Sequence, residues 1–162
     1  MRILTSILIL CILWSGNALS DLSQKNFQTF VDKNLKNKKL DPLEGIWIGE
    51  KGSVLGIHKV DSKFIETVIS FHDNGFLPKK IIGEYEKYSN ILYAGKSQVV
   101  IVNSENKILY KPTCDAKITI ENKKSYVWYC AGKINELYQF TKSVKFTRVY
   151  PDSSGTSFFF NK

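Results

Sequence analysis

Residues 114–130 read CDAKITIENKKSYVWYC, two β-type segments on either side of a polar turn. The residues before and after ENKK are typical of strands, and the four polar residues are typical of the turn between them. Folding this segment about Asn122 brings Cys114 opposite Cys130. We therefore predict a β-hairpin closed by a Cys114–Cys130 disulfide, which constrains a loop of about 15 residues and contributes roughly 3 kcal/mol.

A metal site and a redox pair are the alternatives for these two cysteines. Such sites use a CxxC spacing or a neighbouring histidine, and neither occurs around residues 114–130. The third cysteine, Cys11, lies in the apolar N-terminal segment. Once that segment is removed an even number of cysteines remains, which is typical of a disulfide in an oxidising compartment.

From Gly45 onward the chain alternates short β-type runs with turn residues, and Asn74-Gly75 is a strong signal for a tight turn. The regular spacing predicts an all-β fold, a single antiparallel up-and-down barrel of 8–10 strands within one domain over residues 41–162. The predicted runs are Gly45–Gly49, Ser53–Val60, Phe64–Phe71, Lys80–Tyr88, Ile91–Ala94, Gln98–Val102, Lys107–Tyr110, Ala116–Ile120, Tyr126–Tyr129, Glu136–Phe140, Val144–Tyr150 and Ser157–Phe160.

A helical pattern precedes the strands. Residues 21–40 place apolar side chains at steps of three and four, which predicts a short N-terminal helix lying against or across one end of the barrel. The next segment has the residues of a helix-type cap. Asp41 can cap the turn with its side chain, Pro42 suits the first position of the turn, and Glu44 lies three residues after the capping residue. We interpret this segment as a capped single turn that leads into the first strand, rather than as a catalytic acid pair.

The first twenty residues have the layout of a secretory signal peptide. Arg2 supplies a positive start, Ile3–Trp14 is almost wholly apolar, and Ala18-Leu19-Ser20 offers small residues for cleavage near Ser20. The alternative is an uncleaved anchor helix, but the apolar run is shorter than the ~20 residues that span a membrane. We therefore predict a signal peptide over residues 1–20, a secreted or periplasmic protein, and no integral membrane association.

Lysine dominates the charge of the chain, which has 23 basic and 15 acidic residues and a formal net charge of +8. Nucleic-acid-binding proteins usually add arginines for bidentate contacts, and Arg148 is the one arginine after residue 20. We expect a monomer with no nucleic-acid partner. A hydrophobic fraction of 43% favours one packed core and argues against disorder.

Two short motifs resemble the calycins, the family of lipocalin and fatty-acid-binding-like barrels. Gly45-Ile46-Trp47 opens the first strand after a short helix and turn, and Arg148 lies near the end of a late strand. In the lipocalin pattern such a tryptophan lies at the closed end of the barrel and a late arginine packs across its ring. The resemblance therefore implies structural roles for Gly45, Trp47 and Arg148. The stretch Leu40–Trp47 is also similar to the opening of uncharacterised secreted bacterial proteins, which begin with an Asp-Pro-x-Glu-Gly-x-Trp run.

The resemblance implies a binding protein that holds an apolar small molecule inside the barrel. Tyr85, Tyr126 and Trp128 are the candidate ligand-binding residues, because alternation places such rings on one face of a strand. Whether these rings line a hollow or fill the barrel stays open. A second possibility is an interaction or inhibitor module without a small ligand, which binds an envelope or extracellular protein through loops 72–79 and 150–156.

Other chemistry has little support in the sequence. His58 and His72 lack further ligands at metal-binding spacing, and Glu84 and Glu86 share a strand face of mixed polarity, which favours solvated carboxylates. Nucleophile elbows, phosphate loops, dinucleotide fingerprints and zinc-protease motifs are absent from the sequence. We therefore expect no metal, no cofactor and no enzymatic activity, and a hydrolase with an unrecognised site remains a further alternative.

Overall fold

A computed structural model of the chain describes residues 24–70, 76–105, 107–136 and 138–151. The predicted signal peptide over residues 1–20 and the predicted run Ser157–Phe160 lie outside the described residues. Within the described ranges one helix, α1 (residues 24–34), precedes ten strands. The strands are β1 (Gly45–Gly49), β2 (Val54–Val60), β3 (Lys63–Ser70), β4 (Ile81–Lys87), β5 (Leu92–Gln98), β6 (Ile101–Val102), β7 (Ile108–Tyr110), β8 (Thr113–Asn122), β9 (Ser125–Lys133) and β10 (Gln139–Tyr150).

Eight of these strands form a closed antiparallel barrel in the order β1-β2-β3-β4-β5-β8-β9-β10, with β10 returning to β1. Neighbours in the barrel are neighbours in sequence, except that the small hairpin β6–β7 is inserted between β5 and β8. This architecture confirms the predicted up-and-down barrel with a short helix. Closure removes the unpaired edges that an open sheet would expose.

The barrel closes where β1 pairs with β10, with Trp47 beside Arg148 and Ile46 beside Tyr150. Gly45 begins this pairing at a φ of 154°, and a Cβ there would lie 2.3 Å from the carbonyl oxygen of Tyr150. Only glycine has no side chain to clash with that carbonyl. The residue therefore permits the first and last strands to meet.

Alternation along each strand separates a packed interior from a polar exterior. In β8, Cys114, Ala116, Ile118 and Ile120 are buried while the residues between them are exposed. The interior rings and aliphatic side chains of all eight barrel strands form one cluster with Leu43, which comes from the turn before β1. One barrel end is therefore filled by its own side chains and by that turn.

We call this end, where β10 ends and β1 begins, the closed end. The turn over residues 41–44 covers it, with the backbone N–H of Asp41 donating to the Glu44 carboxylate at 2.9 Å and that of Leu43 donating to Asp41 at 3.2 Å. These reciprocal bonds confirm the predicted capped turn. Glu44 also accepts from Lys38 at 2.6 Å and from the backbone N–H of Lys59 at 2.9 Å.

Trp47 is fully buried beneath this turn and donates its indole N–H to the carbonyl of Leu43 at 3.0 Å. The guanidinium carbon of Arg148 lies 4.3 Å from the centre of the indole ring, and a guanidinium N–H donates to the carbonyl of Pro42. The predicted contact between Trp47 and Arg148 is therefore present. A planar guanidinium both covers the ring and reaches the backbone, which a lysine ammonium does not.

Helix α1 packs on the outer surface of the barrel wall, and not against or across one end of the barrel as predicted from the sequence. Phe27, Phe30 and Val31 form a second cluster with outward-facing residues of the wall, namely Ile46, Val54, Ile69 and Val149. The helix ends before the predicted residue 40, because Asn37 takes a left-handed φ of 62° after the last turn. Among the described residues, no helix has the length and apolar character needed to cross a bilayer.

The Cys114–Cys130 disulfide is present, with a Cα–Cα distance of 5.8 Å and a sequence separation of 16. The predicted pairing is off by two residues, because Ala116, and not Cys114, pairs directly with Cys130. β8 extends to Asn122, so the turn shortens to residues 123–124 and the disulfide joins the strands diagonally. Both cysteines are buried on the inner face, near the end of the barrel opposite Trp47.

We expect Arg148→Lys to lower the free energy of unfolding by about 1–2 kcal/mol, because lysine keeps the charge but loses the stacking on Trp47 and the bond to Pro42. Urea denaturation followed by circular dichroism measures this change. The control is Lys117→Arg on the exposed face of β8, which we expect to stay within about 0.5 kcal/mol of the wild type. Equal stability of Arg148→Lys and the wild type would contradict a stabilising role for the contact.

Candidate functional site

The interior is hollow toward the other end of the barrel, which we call the open end. A cavity of about 310 Å³ reaches the loop between β1 and β2 and the segment after β5. Most of its wall is apolar and comes from Leu55, Phe76, Ile82, Val99, Val144 and Phe146. The barrel is therefore filled at the closed end and hollow at the open end. Of the two alternatives left open by the sequence, a filled barrel describes one half and a hollow barrel describes the other.

Four polar side chains meet inside the barrel, and we call them the polar cluster: Glu66, Tyr85, Ser97 and Trp128. The Tyr85 hydroxyl donates to Glu66 Oε2 at 2.6 Å, and the Ser97 hydroxyl donates to the same oxygen at 3.2 Å. The Trp128 indole N–H donates to the Tyr85 oxygen at 3.1 Å. Glu66, Ser97 and Trp128 line the cavity, so the cluster is its polar part.

The local sequence explains how a carboxyl reaches the interior. In β3, Phe64, Glu66 and Val68 alternate with outward-facing residues, so the acid shares the inward face of two fully buried apolar residues. Gly83 of β4 lies directly opposite Glu66, and a Cβ at that position would lie 2.4 Å from Glu66 Oε2. The glycine therefore provides the space that the carboxyl occupies.

Burial changes the acid–base behaviour of the cluster. Removal from water raises the pKa of Glu66 to about 7, and the hydrogen bonds from Tyr85 and Ser97 oppose that shift by stabilising the carboxylate. Burial and the neighbouring Glu66 also raise the pKa of Tyr85 well above its ordinary value. Glu66 therefore changes its protonation state near neutral pH while Tyr85 stays a hydrogen-bond donor.

The three predicted ligand-binding residues all face the interior but occupy different surroundings. Trp128 lines the cavity, whereas Tyr85 is fully buried and holds Glu66. Tyr126 packs 4.6 Å from Trp47 and 5.0 Å from Phe146 between ring centres, within the filled half. Trp128 is thus the candidate with direct access to a ligand, and Tyr85 positions the carboxyl.

Other candidate groups lie on the outside. Glu84 and Glu86 are exposed, in agreement with their interpretation as solvated carboxylates, and Glu84 pairs with Lys63. His58 is half-buried against Phe30 on the outer wall, while His72 lies outside the described residues. Within the described parts of the chain, no three His, Cys, Asp or Glu side chains come together as a metal site would require.

Glu66 was not among the predicted site residues, because sequence spacing offered no ligand set around it. The signal was nonetheless present: an acid flanked at two-residue steps by Phe64 and Val68, in a run that otherwise predicts a half-buried strand. An acid on the apolar face of a strand is rarely buried without a hydrogen-bonding partner. Its partners, Tyr85 and Ser97, come from other strands and were not visible in the local sequence.

Comparison of the chain with protein-family models, curated proteins and solved structures finds no match. The similarity of Gly45, Trp47 and Arg148 to the calycin pattern thus remains a resemblance carried by two short motifs. What bears on function is the geometry of the cavity and the polar cluster.

We expect Glu66→Gln to remove a pH dependence of stability. Because the folded-state pKa of about 7 exceeds the ordinary value of 4.5, the stabilising effect of the bound proton is complete below pH 4.5 and is lost as the pH rises through 7. Between these limits the wild type should lose roughly 3 kcal/mol that the Gln variant does not lose.

Thermal and urea unfolding between about pH 4 and pH 8 measure this difference. The matched control is Glu86→Gln, which removes an exposed carboxyl from β4 and should keep the pH dependence of the wild type. Identical profiles for Glu66→Gln and the wild type would show that this carboxyl does not titrate as its burial implies.

Proposed function

We propose that this protein is an exported, calycin-like binding protein that holds a small, largely apolar molecule inside its barrel. The observation that carries the proposal is the cavity of about 310 Å³, which opens at one end of a barrel closed at the other. Its volume lies at the lower limit of ordinary small-molecule sites. The Cys114–Cys130 disulfide supports an oxidising compartment outside the cytoplasm.

The composition of the cavity supports this class of ligand. Apolar side chains such as Leu55, Val99 and Phe146 favour a hydrocarbon or ring, and burial of such a group contributes about 25 cal/mol per Å². The polar cluster supplies directional contacts that fix the orientation of the ligand. The filled half beneath gives the site a rigid base, because Tyr126 is held between Trp47 and Phe146.

Filling the cavity should prevent binding. We expect Val144→Trp to weaken one-to-one binding of the fluorescent apolar probe N-phenylnaphthylamine by about tenfold or more, because the larger ring occupies space that a ligand needs. Fluorescence titration measures the affinity, and mass spectrometry of an organic extract of the purified protein identifies a ligand that is retained from the source.

The matched control is Val127→Trp, which adds the same ring to a residue that is next to inward-facing Trp128 and does not line the cavity. We expect its affinity for the probe to equal that of the wild type. The proposal fails if the wild type does not bind the probe, or if both variants bind it as the wild type does.

A second candidate function is the recognition of another protein by the open end. Large apolar side chains are exposed there on three segments, with Leu77 at 78%, Leu109 at 53%, Tyr110 at 50% and Tyr138 at 64% of their surface in solvent. Clusters of exposed apolar side chains often mark interaction sites. Of the predicted docking loops 72–79 and 150–156, residues 76–79 lie at the open end, whereas residues 150–151 follow β10 at the closed end, so the described parts of the two loops lie at opposite ends of the barrel. Residues 72–75 and 152–156 of these loops lie outside the described residues.

This second function predicts that Tyr110→Ser abolishes the recovery of one specific protein in crosslinking experiments on cells that express the chain. The control is Tyr88→Ser, which removes an equally large and exposed ring at the closed end and should leave that recovery unchanged. Recovery that both variants retain, or that both lose, contradicts a docking role for the open end.

A further inference from the structure

The cavity contains two hydrogen-bond acceptors that no donor among the described residues saturates. Both hydrogen bonds that Glu66 receives end on Oε2, and a carboxylate has acceptor capacity on both oxygens. The side-chain oxygen of Gln98, which also lines the cavity, is buried and has no hydrogen-bond partner. Buried acceptors without donors are costly, so a ligand that donates hydrogen bonds would stabilise this site.

The donors that do reach Glu66 are uncharged. Both are hydroxyls, from Tyr85 of β4 and Ser97 of β5, so neither hydrogen bond is made by a lysine or arginine. Glu66 is 1% exposed, so its carboxyl is removed from bulk water. An ionised carboxylate in such a site is strongly stabilised by a cation that enters and pairs with it.

We propose that the ligand of this cavity is an amine-bearing amphiphile, whose protonated amino group donates hydrogen bonds to Glu66 while its apolar part extends toward the open end. The inference rests on the proposed function and adds the chemical class of the ligand. Gly83 supports this inference, because the absence of a Cβ there leaves room for the Glu66 carboxyl beside Tyr85. Trp128 lines the cavity and donates to the Tyr85 hydroxyl that holds the carboxyl, so its ring is available to the carbon atoms beside the amine.

The charged residues elsewhere in the cavity define the main alternative. Lys51 and Glu50 belong to the loop between β1 and β2, and Lys142 lies on β10 two residues nearer the open end than Val144. Two lysines in this position would attract the carboxylate of a fatty acid, with its chain pointing inward. The two orientations are distinguished by the head group, because an amine requires Glu66 and a carboxylate requires the lysines.

Three probes with the same alkyl chain separate these cases: octylamine, octanol and octanoate. Isothermal titration calorimetry at about pH 8 should show octylamine binding about tenfold more tightly than octanol, with octanoate weakest. In Glu66→Gln the affinities for octylamine and octanol should become equal to within about threefold, because the variant removes the charge and leaves the apolar wall. Glu86→Gln on the exterior serves as the control and should keep the preference for the amine.

A pH series on the wild type provides a second measurement that does not depend on the folding of Glu66→Gln. Octylamine should bind more tightly as the pH rises from about 6 to about 8.5, since Glu66, with a pKa of about 7, ionises in this range. Octanol should show no such change. The other titratable groups facing the carboxyl, Tyr85 and Tyr126, have pKa values raised well above 10, and Glu50, Lys51 and Lys142 line the rest of the cavity.

Three results overturn the inference: equal affinity for octylamine and octanol in the wild type, tightest binding of octanoate, or an amine preference that persists in folded Glu66→Gln. If N-phenylnaphthylamine binds in the cavity and is blocked by Val144→Trp, any of these results removes the amine class and leaves the binding function intact. Failure of all three octyl probes and of N-phenylnaphthylamine removes both.

Discussion

The fold depends on the contact between its first and last barrel strands. β1 has five residues, and its pairing with β10 is the step that turns a curved sheet into a barrel. Trp47 anchors that pairing, with its N–H on the carbonyl of Leu43 and the guanidinium of Arg148 on its ring. Because the turn over residues 41–44 contacts both residues, the same interaction closes the barrel wall and covers one end.

Filling of the closed end determines where the barrel can hold a ligand. Aromatic rings fill the closed half, where Phe64 and Tyr93 pack edge to face and Tyr126 stacks on Phe146. Side chains of this size exclude ligands there. Among the described residues, the space inside the barrel lies toward the open end, where Val99 and Val144 form part of the wall and Phe146 separates it from the filled half. The Cys114–Cys130 disulfide lies near the open end and ties β8 to β9 where filling by side chains is sparser.

The polar cluster stands between these two halves. Tyr85 is buried in the filled half, and its hydrogen bond holds the Glu66 carboxyl at the wall of the cavity. A hydroxyl that is itself held by the Trp128 indole N–H cannot rotate away without losing a buried bond. The packing that stabilises the barrel therefore also orients the Glu66 carboxyl at the wall of the cavity.

Local sequence patterns predicted the positions of the strands well, but they divided two long strands into shorter runs. The runs from Gly45 to Tyr88 match β1 to β4 within one residue at every end, and the Cys114–Cys130 hairpin is present with the centre of its turn shifted by one residue. Two polar residues, Lys96 and Ser143, lie between predicted runs, where the local pattern indicates a break. In the structure Lys96 lies within the continuous strand β5, and Ser143 lies within β10. In a closed barrel both neighbours pair with the backbone, and this pairing outweighs the low strand propensity of individual residues.

The sequence by itself determined the all-β class, the disulfide partners and the capped turn at Asp41. Each of these follows from residue types and short spacings, which act locally or have a single possible partner. The contact between Trp47 and Arg148 was implied by the resemblance of two short motifs to the calycin pattern. Tertiary structure alone decided that Glu66 meets Tyr85 and Ser97, and that the barrel is hollow on one side of them. Residues from four strands, β3, β4, β5 and β9, form the polar cluster. The sequence contains no local record of which inward-facing side chains lie at the same height in the barrel once the sheet has closed.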